Sequence, residues 1–383
     1  MRAYHCLRHL AQHNHVTVAA PVRDAAEAEA VAALEREGVE VIAGPLKPMR
    51  AAVQSLANTA RAAPISMGYF RAPSVVRRVR HHCRHTSPDL AIVHCSSVAP
   101  YVLPFNGPKV LDFVDMDSAK WRLYSDHQRW PKSWGYRWEG RNLARAEARL
   151  ARAFDLSLTA TAFEQQTLAD LAGPVASAVV RNGVDLEFFA PGPADGYDPD
   201  HVCFVGRMDY YPNEQAMVRF CAETWPLIRS RRPLARLSIV GAAPGPAVRA
   251  LADHPGVAVT GTVDDVRPYV RSAACTVVPL AIARGTQNKI LESLAMAVPV
   301  VASPVAARGV DADPHTHLRI AETPAALAEA VGQLMDRPDQ RGRLAQAGRS
   351  LVEARYDWRT TLADFDAALA HMLARRSGDR AAG

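Results

Sequence analysis

The feature that most constrains the fold is an alternation that runs twice along the 383 residues. Short runs rich in Val, Ile, Leu and Ala, at 15–20, 38–42, 89–94, 109–114, 154–159 and 177–180, read as strands. Longer segments of helical composition separate many of them, including 24–37 and 134–153. The pattern then restarts, with strands expected at 201–206, 237–240, 257–260, 275–280, 300–301 and 318–321. Helices are expected at 213–229, 247–252, 263–272, 288–297 and from 325 to 376. Strands that alternate with helices cannot close as hairpins, so they pair in parallel and are covered on both faces. The expectation is an α/β chain of two tandem domains, each a doubly wound sheet, which suits a length of about 150 residues per domain. The boundaries expected are 1–187 for the first domain, 188–200 for a Pro-, Gly- and Asp-rich linker, and 201–355 for the second. Residues 356–383 would form a helix packing back toward the first domain, plus a loose tail. The first domain opens in a helix, 2–12, with no strand before it. A central strand missing there would expose two strand edges, so a late start or a truncation is the expectation.

Ligands in such sheets bind beyond the carboxyl ends of the strands. Asp115, Arg207 and Arg284 each follow a strand. The stretch 283–303 is the most informative. Arg284-Gly285-Thr286 reads as a turn, with Thr286 of N-cap type. A helix follows, with Ile290, Leu294 and Val298 on one stripe, and Pro299 is expected to stop it. Asn288, Lys289 and Glu292 share another face. A helix N-terminus behind glycine attracts anions, and a lysine and a carboxylate one turn deeper can hold a phosphate and a sugar hydroxyl. The same residues also suit a plain amphipathic helix with a solvated Lys–Glu pair.

Charge separates the halves. The first 180 residues hold 22 Lys and Arg against 16 Asp and Glu, and so carry the whole net charge of +6. A basic domain suits an anionic partner such as a membrane surface. Interleaved aromatics and nucleic-acid module signatures are lacking, so no nucleic acid is expected. No apolar run approaches the ~18 residues of a membrane span. The N-terminus lacks the continuous apolar core of a signal peptide. Six scattered cysteines without a CxxC pair read as reduced thiols, placing the chain in the cytoplasm. The cluster 81–85 has no second set of ligands, so no metal is expected. His94 and His127 have no partner visible in the sequence and read as structural or solvated. Trp121, Tyr124, Trp130, Trp134, Tyr136 and Trp138 form an aromatic concentration suited to stacking on sugars, to loop packing or to a membrane surface.

The strings Asn182-Gly183-Val184-Asp185, Val205-Gly206-Arg207 and 283–303, set in two tandem Rossmann-like domains, resemble the GT-B fold glycosyltransferases of family 4. More narrowly, 112–121, 208–213 and 283–292 resemble the sugar transferases associated with PEP-CTERM/exosortase exopolysaccharide loci. The resemblance implies a hexosyl-type transferase that moves a sugar from a nucleoside diphosphate sugar to a polysaccharide or lipid-linked acceptor, with retention of configuration. It would work in the cytoplasm, with a peripheral contact at the inner membrane through the basic half. It implies no cofactor beyond the donor, and no metal. Carried over by position, the donor-binding residues are Gly206, Arg207, Arg284, Gly285, Thr286, Asn288, Lys289 and Glu292. The catalytic residues are Arg207, Lys289 and Asp115.

The chain departs from the family pattern at three points. Arg284 stands where a sugar-reading glutamate is expected. Asn213 replaces a lysine. Val114-Asp115 replaces a His-Asp pair. Two other readings remain open from the sequence: a sugar-nucleotide epimerase or hydrolase of the same fold, and a non-catalytic truncated homologue.

Overall fold

The computed structural model describes residues 2–193 and 196–382. The chain divides into two compact units, Met1–Val180 with Leu362–Gly383, and Arg181–Thr361. The fold is α/β with parallel sheets.

In the first unit, β1 (Thr17–Val22) and β2 (Glu40–Pro45) pair in parallel. A second parallel sheet runs in the order β3 (Ala91–His94), β4 (Lys109–Val114), β5 (Leu156–Thr159), β6 (Ser177–Val179). Among the described residues no strand joins the two sheets. Alternation along β4 sorts its side chains to two faces. Leu111 and Phe113 pack with Val93, Leu150 and Leu168. Val110, with Leu156 and Leu158, packs against Phe365, Leu369 and Met372 of the helix Trp358–Ala382.

The opening helix Arg2–Ala11 is held by one buried residue. The Arg2 guanidinium donates to both carboxylate oxygens of Asp112, at 2.7 and 3.1 Å, and to the Val180 carbonyl at 2.7 Å. His94, which showed no partner in the sequence, has Nδ1 at 3.3 Å from the same carboxylate. Burial alone would lower the His94 pKa, but bonds to Asp112 and Cys95 outweigh it and raise it to about 9.

In the second unit a single parallel sheet contains β7 (Asp198–Val205), β8 (Arg236–Val240), β9 (Val257–Gly261), β10 (Ala273–Val278), β11 (Val300–Ala302) and β12 (Arg319–Ile320). Their order, β12-β11-β10-β7-β8-β9, is that of the dinucleotide-binding sheets, with the strand order reversing between β7 and β10. All six residues of β10 are buried, as a central strand covered on both faces requires.

Local chemistry moved several expected boundaries. The residues expected as linker belong to the second unit's packing: Phe189 is buried in its core and Asp198–Asp200 open β7. Residues 194 and 195 lie outside the described residues. The helix expected at 213–229 is two helices, Tyr211–Arg219 and Trp225–Arg231, joined by a π turn at Phe220–Thr224. Pro226 follows that turn and has no N–H to donate to the turn before it. Thr286 does not cap the next helix. Gln287 holds that position, and Asn288–Ala295 follows.

Pro299 does not end that helix either. Ala297 takes a left-handed φ of 55°, with Ala297 N–H donating to Leu294 and Val298 N–H to Ser293. This is a Schellman end with alanine where glycine is usual. The stripe of Ile290, Leu294 and Val298 is buried as expected. All six cysteines are free thiols. Among the described residues no helix is long and apolar enough to cross a membrane.

Candidate active site

The carboxyl ends of β7 and β10 meet at the switch point of the second sheet, and the predicted donor residues gather there. Gly206 follows β7. A Cβ on it would lie 2.7 Å from Asn213 Nδ2 and 2.8 Å from Lys289 Nζ, so the two side-chain ends close directly over its backbone. Its backbone is approached just as closely from β8. A Cβ on Gly241, whose φ is +151°, would stand 1.8 Å from the Gly206 carbonyl oxygen. The Gly206 N–H donates to Val240, and the Met208 N–H to Ala242. Gly285, after β10, has φ +59° and is backed by Gly309 in the same way.

Lys289 turns inward rather than into solvent. Its Nζ donates to Asn213 Oδ1 at 2.8 Å and lies 4.2 Å from the Phe204 ring centroid. Asn213 Nδ2 in turn donates to the Arg207 carbonyl at 2.8 Å. The position read as a lost lysine is therefore a bracket between the β7 loop and Lys289. Burial pushes the Lys289 pKa down to about 7, only partly opposed by Glu292, and burial likewise raises Glu292. A cation held near neutrality in this way gains charge when an opposite charge arrives.

The other predicted residues surround this pair. Arg207 is exposed, its guanidinium paired with Asp209 at 3.0 and 2.6 Å. Arg284 is half-buried, and its carbonyl accepts from the Gln287 side chain. Thr286 Oγ1 is buried without a hydrogen-bond partner. Asn288 is exposed and accepts from Asn182 Nδ2 at 3.3 Å, which joins two strings far apart in the sequence. Gly183 faces the Trp358 ring, which a Cβ would meet at 2.4 Å.

Asp115 belongs to the first unit, after β4. Val114 ahead of it has φ 62°, a strained value for a β-branched residue. Two fully buried carboxylates hold the loop. Glu164 Oε2 accepts from Met116 N–H at 2.8 Å, and Glu147 Oε1 from Ser118 N–H at 3.1 Å. Burial lifts the Glu147 pKa to about 8. Sequence reasoning passed over Glu147, Glu164 and Gly309. Only Glu164 left a local signal, the capping pattern Thr161-x-x-Glu164, whose Thr161 Oγ1 accepts from Glu164 N–H at 3.1 Å.

Residues 199–337 match the family of glycosyl transferases group 1. The match lies within the second unit and spans about a third of the chain. Solved structures agree on the fold of the whole chain. Anabaena HepE, solved with UDP and glucose, is 15% identical, with a TM-score of 0.68 and coverage of 95% of each chain. Sucrose-phosphate synthase from Thermosynechococcus elongatus is 18% identical, with a TM-score of 0.62, over 81% of this chain and 78% of the other. A Rickettsia africae glycosyltransferase is 12% identical, with a TM-score of 0.60, over 94% of this chain and 99% of the other. No curated protein matches at the sequence level.

Proposed function

We propose that this glycosyltransferase moves a sugar from a nucleoside diphosphate sugar to a lipid-linked acceptor in exopolysaccharide synthesis, retaining the anomeric configuration. The observation that carries the reading is the bracket of Gly206, Asn213 and Lys289 at the switch point. Bare backbone there lets the Lys289 ammonium come in over the end of β7, and a desolvated cation so placed suits a diphosphate. The structural neighbour HepE was solved with UDP-glucose, which supports a donor of this class.

As the glycosidic bond breaks, the leaving diphosphate gains negative charge. A lysine fixed by Asn213 and Phe204 stabilises that charge without reorganising, an effect worth about 3 kcal/mol for one such donor. In this reading Arg207 exchanges Asp209 for the pyrophosphate, and Glu292 accepts the ribose hydroxyls. The Gly285–Asn288 turn adds N–H groups, and Arg284 reads the sugar or the diphosphate. Asp115 is the acceptor-side residue of this reading, with no metal and no further cofactor.

The test is a screen of nucleotide sugars with and without lipid-linked sugar acceptors. The reading predicts nucleoside diphosphate release that depends on the acceptor, with the label in the lipid fraction. Epimerised or free sugar formed as fast without an acceptor would contradict it.

A further inference from the structure

We propose that the exposed face of the helix Pro48–Ala60 docks this chain on an anionic lipid bilayer. The proposal rests on the lipid-linked acceptor read above. Met49, Val53 and Leu56 are 84, 66 and 71% exposed. Their spacings of four and three put them on one stripe of the helix. The opposite side is the anchored one: Ala51 is buried, and Asn58 Nδ2 donates to the Pro64 carbonyl at 2.8 Å. The fold therefore has no need of the stripe, and three large apolar side chains stand in water.

Charge selects what covers them. Between Glu40 and Asp89 the sequence contains no Asp or Glu, but eight Lys and Arg. All eight are exposed, and none forms an ion pair among the described residues. Lys47, Arg50 and Arg61 sit on the helix or at its ends. An apolar stripe flanked by unpaired cations is the pattern of a helix lying in a membrane interface, where hydrocarbon takes the stripe and anionic headgroups take the charge. A second copy of the same face would bring like charges together, which disfavours self-association through it.

Flotation with vesicles tests this on the full chain. The chain is expected to float with equimolar phosphatidylcholine and phosphatidylglycerol and not with phosphatidylcholine alone. Replacing Met49, Val53 and Leu56 together by Gln should weaken binding at least about tenfold, because the stripe then has no apolar area to bury in hydrocarbon. Each cation removed in Arg50→Gln and Arg61→Gln should weaken it about fivefold. The triple variant should keep the wild-type melting temperature and UDP affinity. Loss of flotation is then separable from unfolding, and the donor reading is scored on its own.

Four results would overturn the proposal: no flotation of wild type, equal flotation on phosphatidylcholine alone, a triple variant that floats like wild type, or a wild-type dimer in sedimentation that the triple substitution turns into monomer.

Discussion

Lys289 is the residue on which the proposed chemistry turns, and its environment makes it a proton-linked group. With its pKa near 7, a large share of empty sites are neutral there at pH 8. A bound diphosphate favours the charged form. UDP binding at pH 8 should therefore take up close to one proton, and affinity should fall as pH rises above 7. Calorimetry in two buffers of different ionisation enthalpy reads this directly. Lys289→Met should abolish the uptake, and an unchanged uptake in that variant would assign the proton to another group. Asn213 shows why the residue scale is hard to read from sequence. Set against a family pattern it is a missing cation, but in space it holds the remaining one.

At the scale of elements, the helix Asn288–Ala295 ends on a residue that is not the best one for the conformation. Ala297 carries the left-handed turn of a Schellman end with its Cβ half-exposed. Ala297→Gly should relieve a strain of about 1–2 kcal/mol, less the extra chain entropy of glycine, for a net gain of up to about 1 kcal/mol. A shift of the urea midpoint to higher denaturant checks it, and an unchanged or lower midpoint goes against the backbone account. The existence and type of the elements were legible because apolar periodicity is local: β4 was expected at 109–114 and lies at Lys109–Val114. The strand order was not, since parallel strands leave no turn signature that names their neighbours. Neither was the helix end at Ala297, where alanine stands in for the usual glycine signal. The residues proposed for the donor stand out in the sequence as short strings. Gly241 and Gly309, which shape the same site, matter through backbone approaches that no spacing encodes.

At the scale of the whole molecule, each unit is pinned by contacts far apart in the chain. In the first, Arg2, His94 and Asp112 tie the opening helix to β3, β4 and Val180. The His94 pKa of about 9 exceeds its unfolded value of about 6.5, so its stabilisation is complete below pH 6.5 and is lost as pH rises through 9. The advantage of wild type over His94→Gln in urea midpoint should shrink across that window. A constant difference from pH 6 to pH 10 would mean that the histidine is not charged in the native state. In the second unit, the switch point between β7 and β10 gathers residues 206, 213 and 289, and on that the functional account rests.

Titration of wild type and Lys289→Met with UDP by calorimetry at pH 7 is the most direct test. The account predicts that wild type binds and that the variant binds about a hundredfold more weakly, with its melting temperature kept. Equal affinity of the two proteins would contradict it.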